Sequence, residues 1–154
     1  MYKHLFKAAL NWIAIDKQKE SNKKVYAKSH TVKIEGKDIL CISAAKAFKG
    51  DPALLNPEDL LLSALTSCHM MSYLYACQQH DIEVLAYEDN SEATLVLNDD
   101  GSGRITKVVL NPIVRIRDES QKKLALQLHV QANKLCFIAN SCNFEIEHHA
   151  QCID

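Results

Sequence analysis

The chain has 154 residues, 47% of them apolar and 24% charged, a length and balance that suit one globular domain with its own core. Lys and Arg number 18 against 19 Asp and Glu, and the resulting net charge of −1 argues against nucleic acid and against anionic membranes as partners. Six cysteines without a C-x-x-C pair weaken the zinc-finger and thioredoxin-motif readings and leave any redox pair to be assembled by the fold.

At the N-terminus Lys3, His4 and Lys7 precede the apolar run Ala8 to Ile15, an arrangement that imitates a secretory leader. Asn11 interrupts the run, no small-x-small cleavage site follows, and the charged stretch Asp16-Lys17-Gln18-Lys19-Glu20 ends it. The expectation is a soluble, cytoplasmic protein with reduced thiols and no membrane span. Only four glycines and three prolines punctuate the chain, so 1–154 reads as a single domain.

Leu5 to Ile15, Val25 to Glu35 and Lys37 to Ser43 alternate as strands do, and Glu35-Gly36-Lys37 marks a tight turn between the last two. Residues 44 to 55 read as a loop around Gly50, Asp51 and Pro52. A helix follows, with Asn56 as N-cap, Pro57 at the first helical position, and Glu58 and Asp59 at the positive end of the dipole. To about Gln79 the residues Leu61, Ala64, Leu65, Cys68, Met71, Ser72 and Tyr75 share one helical stripe. Leu60, Leu62 and Met70 add apolar surface on other faces, so the helix is expected to be covered on most sides. His69 points about 100 degrees around the helix from Cys68, which assigns it to structure or to the surface.

Ile82 to Asn98 and Arg104 to Arg117 read as two long strands joined by the turn Asp99-Asp100-Gly101-Ser102-Gly103. On the second, Thr106, Val108, Leu110, Val114 and Ile116 share a face, with Arg115 and Arg117 opposite. A second helix, Glu119 to Leu135, carries Leu124, Leu128, Ala132 and Leu135 as its stripe and ends at Cys136. Phe144 to His148 forms a last short strand. The order βββ-α-ββ-α-β gives an α+β fold with a mostly antiparallel sheet and two main helices. The tail Glu147-His148-His149-Ala150-Gln151-Cys152 gathers metal-binding side chains, but adjacent histidines on an extended chain face opposite sides, so no metal site is expected.

The segment Asn56-Pro57-Glu58-Asp59-Leu60-Leu61 through Ser67-Cys68-His69-Met70 resembles the central-helix motif of the OsmC/Ohr family, in which an Asn-Pro-Glu start leads to the reactive cysteine. Leu135-Cys136-Phe137-Ile138-Ala139-Asn140-Ser141 resembles that family's resolving-cysteine segment, with Phe137 in place of the usual proline. The resemblance implies an OsmC-like fold whose central helix packs at the interface of a homodimer. It also implies a thiol peroxidase in which Cys68 attacks an organic hydroperoxide and Cys136 resolves the sulfenic acid as a disulfide. A dithiol reductant of lipoyl type would restore both thiols, and no cofactor is needed.

An alkyl thiol is mostly protonated at neutral pH, so the nucleophile needs a nearby cation. The family's N-terminal arginine is missing, since the first arginine in this chain is Arg104. Lys28 is the favoured replacement, because Tyr26-Ala27-Lys28-Ser29-His30 resembles the family stretch with a basic residue two before a histidine; Lys23, Lys24, Lys33 and His30 are the alternatives. Glu58 is the family's carboxylate by motif position. It stands roughly 15 Å along the helix axis from Cys68, so it is expected to act in the site of a second subunit. The bland readings are a Cys68 that is a small buried hydrophobe, a Glu58 that only starts the helix and a Lys28 that is a solvated charge. A non-enzymatic ligand-binding or redox-sensing dimer is the alternative function; acyl transfer through Cys68 ranks below it because no adjacent general base is evident.

Overall fold

The computed structural model describes residues 2–14 and 26–153. The chain divides into two compact units, 1–60 and 61–154.

In the first unit, β1 (Ala9–Asn11), β2 (His30–Lys33) and β3 (Leu40–Ile42) form an antiparallel sheet in that order, with Ala9 opposite Lys33 and Thr31 opposite Cys41. The predicted turn closes β2 onto β3: Lys37 donates its N–H to the Ile34 carbonyl at 3.0 Å, and Gly36 sits at φ +73°, where a side chain would be strained. All three strands are much shorter than the sequence suggests, and the start of the second expected strand, Val25, lies outside the described residues. The loop after β3 is pinned by Ser43, whose N–H donates to the Leu55 carbonyl at 2.8 Å and whose hydroxyl accepts from the Asp51 N–H at 3.1 Å. Gly50 is required there, because a Cβ at that position would fall 1.6 Å from the Ala44 carbonyl oxygen.

The first long helix, α1 (Pro57–Gln79), begins where the sequence places it. The Asn56 side chain accepts the Asp59 N–H at 2.9 Å while the Asp59 carboxylate accepts from the Asn56 N–H at 3.2 Å, a reciprocal cap. The helix stops without glycine. Asp81 turns to φ +53°, and Ile82 donates back to the Cys77 carbonyl at 3.0 Å. By length and composition α1 would also pass as a membrane-crossing helix.

The second unit sets the rest of α1 against α2 (Lys122–Leu135), α3 (Phe137–Ser141) and two further sheets. The strands are β4 (Val84–Asp89), β5 (Glu92–Leu97), β6 (Gly103–Leu110), β7 (Pro112–Ile116), β8 (Glu145–His148) and β9 (Gln151–Ile153). One sheet runs β4-β7-β9 and the other β5-β6-β8; the hairpin partners pair antiparallel, and β8 and β9 add in parallel. The fold is therefore α+β and mostly antiparallel, as expected. Each of the two long predicted strands is divided, however, and β9 and α3 are additional.

The division has a local cause. The Asp89 carboxylate accepts from the Asn111 backbone N–H at 2.8 Å and from the Ser91 hydroxyl at 2.8 Å, and the Asn111 side chain donates to the Asn90 carbonyl at 2.9 Å. These side chains satisfy backbone groups that a continuous ladder would otherwise use, and the two hairpin arms bend apart at that point.

Two apolar clusters fill this unit. Tyr73, Ala76 and Cys77 of α1 pack with Ile82, with Val114 and Ile116 of β7, and with Ala125, Leu128 and Ala132 of α2. Leu65, Val108, Leu110 and Cys136 form the second, with Cys68, Ile138 and Ile146 against it. The buried face of α1 is thus Leu65, His69, Tyr73, Ala76 and Cys77, rotated from the predicted stripe, and Met71 and Tyr75 are 57% and 53% exposed. Apolar residues surround this helix, so spacing alone does not select the inward face. The β6–β7 face is as predicted, with Val108, Leu110, Val114 and Ile116 buried and Arg115 and Arg117 outside.

Candidate functional site

The backbone of Cys136 sits where α2 ends and α3 begins. Its N–H donates to the Ala132 carbonyl at 2.9 Å, closing α2, and it turns extended at φ −72°, ψ 111°. Its sulfur then accepts the Ala139 N–H at 3.3 Å, so the thiol itself caps α3. The side chain is 0% exposed among Leu65, Val108 and Leu110.

Cys68, in the middle of α1, is half-buried and packs against the same cluster, close enough to help raise the Cys136 thiol. The Cys136 thiol is pushed up to about 11, first by burial and then by Cys68, against the lowering effect of the Ala139 N–H. All six cysteines are free. The fold therefore brings Cys68 and Cys136, 68 positions apart, into one cluster, Cys68 half-buried at its edge and Cys136 enclosed with its thiol pushed up.

Of the other expected site residues, Glu58 lies half-buried in the first turn of α1, ten residues ahead of Cys68 on the same helix. Lys28 belongs to the first unit, where its ammonium donates to the Phe48 carbonyl. His30 donates from Nδ1 to the Lys28 carbonyl at 2.8 Å. Lys23 and Lys24 lie outside the described residues.

The sequence reading missed a buried histidine cluster beside the thiols. His69 is 0% exposed, so of the two alternatives, structural or on the surface, the structural one holds. Its Nε2 lies 3.1 Å from Nδ1 of His129 on α2, and its ring centroid is 4.6 Å from that of His148 on β8. Tyr73 stacks on His129 at 4.0 Å, and Tyr87 of β4 stands 5.8 Å from Tyr73. Burial first, then the neighbouring His148 and His129, brings His69 down to about 3; burial and then His148 bring His129 to about 4. His148 is also lowered by burial, although Asp89 opposes the shift. Burial raises both Tyr73 and Tyr87. The signal in the sequence was the four-residue spacing of Leu65, His69, Tyr73 and Cys77, which reads as a core stripe once the histidine is allowed inside.

The tail resolves as alternation predicts. His148 turns inward to this cluster, while His149 is exposed and lies 3.4 Å from the Glu147 carboxylate. Among the described residues no group of three His, Cys, Asp or Glu side chains is arranged to hold a metal ion.

The family profile described as OsmC-like protein matches residues 50–149, a span that includes both cysteines. An OsmC-like protein of unknown function from Vibrio cholerae is 28% identical, with a TM-score of 0.83 over 96% of this chain and 99% of its own. An OsmC-like protein from Mycoplasma pneumoniae, 13% identical, has a TM-score of 0.72 over 98% of this chain and 99% of its own. An organic hydroperoxide resistance protein from Elizabethkingia anophelis, 15% identical, has a TM-score of 0.67 over 99% of each chain. No match is found among curated proteins. With most of the chain matched to the profile and the fold shared end to end, this protein belongs to the OsmC-like family.

Proposed function

We propose that the protein is a thiol peroxidase that reduces organic hydroperoxides through Cys68 and Cys136. The observation that carries this reading is the placement of a half-buried Cys68 and a fully buried Cys136 in one cluster. A peroxide must reach the attacking sulfur, whereas the resolving sulfur needs only to reach its partner.

The Cys68 thiolate attacks the distal peroxide oxygen, the O–O bond breaks, and the departing alkoxide takes a proton to become the alcohol. Cys68 is left as a sulfenic acid. The Cys136 thiol then condenses with it, forming the S–S bond and releasing water. A dithiol, for which a lipoyl-type donor suits the family resemblance, returns two electrons and two protons and restores both thiols. Lys28 and Glu58 enter this reading through the family resemblance, Lys28 as the cation and Glu58 as its carboxylate partner across a homodimer. The apolar surface left by Met71, Leu74 and Tyr75 on α1 supports the dimer.

A redox-sensing dimer is the second reading, favoured by the lack of any arginine before Arg104. Steady-state consumption of an alkyl hydroperoxide with a supplied dithiol separates the two. Multiple turnovers that vanish in Cys68→Ser support the peroxidase, and a single oxidation per chain without turnover supports the sensor.

A further inference from the structure

Every buried side-chain nitrogen or oxygen left without a partner among the described residues belongs to the histidine cluster or lies within one helical turn of it. These atoms are on His69, Tyr73, Tyr87, Asp89, His129, Asn133 and His148. Burying polar groups costs stability relative to an apolar core of the same shape. What the cluster does supply is one directional contact between two helices, His69 Nε2 to His129 Nδ1 at 3.1 Å.

That contact is close to the thiols along both chains. His69 is the next residue after Cys68 on α1. His129 precedes Cys136 by seven residues on α2, about two turns or roughly 10 Å of continuous helix. The remaining α1–α2 packing involves the stack of Tyr73 on His129 and the apolar cluster of Tyr73, Ala76 and Cys77 with Ala125, Leu128 and Ala132, contacts that specify a helix register less sharply than a hydrogen bond does. A disulfide needs Cβ atoms within about 3.5–4.5 Å, so a slip of roughly 1 Å between the helices opposes it.

We propose that the His69–His129 hydrogen bond is a positioning strut that fixes α2 against α1 in the register at which Cys136 meets Cys68. The proposal rests on the reading of these cysteines as a redox pair and adds two residues that set their spacing. The strut acts on disulfide formation, and leaves the attack of Cys68 on peroxide alone.

The test exploits amide geometry, because an Asn side chain places its amide where the imidazole Nδ1 was and a Gln places it where Nε2 was. The matched variants are therefore His129→Asn and His69→Gln, and the mismatched variants are His129→Gln and His69→Asn. Each protein is equilibrated anaerobically with oxidised and reduced dithiothreitol at neutral pH. Cys68 and Cys136 give two protons and two electrons to the cyclic disulfide of the reagent, which opens to its dithiol. The Cys68–Cys136 disulfide is quantified by peptide mass spectrometry. The mismatched variants are expected to lower the equilibrium constant for this disulfide by about tenfold or more, with the matched variants restoring it to within about twofold. Trapping of the Cys68 sulfenic acid under limiting peroxide should proceed at the wild-type rate in all four.

An unchanged constant in the mismatched proteins overturns the strut, as does a constant that follows thermal stability whichever amide is used. Failure of both mismatched proteins to fold makes the histidine pair a purely structural element and overturns it as well. Because the equilibrium uses no peroxide, a wild type that forms the disulfide yet consumes no hydroperoxide removes the peroxidase reading and leaves the strut in place.

Discussion

Cys136 meets Cys68 with its thiol buried and raised to about 11, while its sulfur also accepts the Ala139 N–H at 3.3 Å. The Cys136 thiol is thus held in a fixed orientation while reduced. Cys136→Ser should still form one sulfenic acid per chain at Cys68 under limiting peroxide, then stall or pass to sulfinic acid under excess. Intact-mass analysis reads the added oxygens, and a disulfide at Cys68 in that variant would contradict the assignment.

The histidine cluster makes stability depend on acid. His69 and His129 titrate at about 3 and about 4 in the fold against 6.5 when unfolded. Between those values the unfolded chain binds more protons, so stability is complete above pH 6.5 and declines as the pH falls below it. Each group contributes a limiting slope of about 1.4 kcal/mol per pH unit, which predicts a loss of a few kcal/mol between pH 7 and pH 5. Urea denaturation across that range measures the slope, which His129→Asn should reduce by the contribution of one group.

Asp89 bridges the break between the two hairpin arms through Asn111 and Ser91. Asp89→Ala removes the oxygen that accepts both hydrogen bonds and should destabilise the protein by about 1–3 kcal/mol. Thermal unfolding checks this, with far-ultraviolet circular dichroism to show that both sheets persist.

The dimer is tested at the exposed face of α1. The wild type should sediment as a dimer at micromolar concentration, and Tyr75→Glu, which sets a charge on that face, should shift it to monomer. Wild-type monomer with undiminished peroxide turnover would contradict an active site shared between subunits.

If Lys28 replaces the family arginine, Lys28→Ala should slow peroxide consumption by roughly tenfold, since a cation beside a reacting thiolate commonly matters by that order. Lys28→Arg should hold or raise the rate, because guanidinium pairs with a carboxylate in two-pronged geometry. Unchanged turnover in Lys28→Ala would eliminate this lysine.

Much of the architecture was legible where local chemistry is strong. The Asn56-Pro57-Glu58-Asp59 start, the Gly36 and Gly101 turns and the alternation through β6 and β7 all appear where the sequence puts them. The Asp89 latch was not legible, because it joins residues 22 apart and interrupts runs that otherwise alternate well. The inward face of α1 was hidden for another reason. A helix apolar on every side leaves tertiary packing to choose the face, and that choice carried His69 inside with it. The thiol pair was suggested by motif resemblance, and only the fold could show Cys68 half-buried at the edge of the cluster that encloses Cys136.

The capping role of the Cys136 sulfur has a consequence beyond catalysis. If Cys136 enters the proposed disulfide, its sulfur turns toward Cys68 and away from the Ala139 amide. Oxidation then withdraws a hydrogen bond from the first turn of a helix only five residues long. The amide of Ala139 becomes an internal reporter whose hydrogen exchange quickens when the disulfide closes.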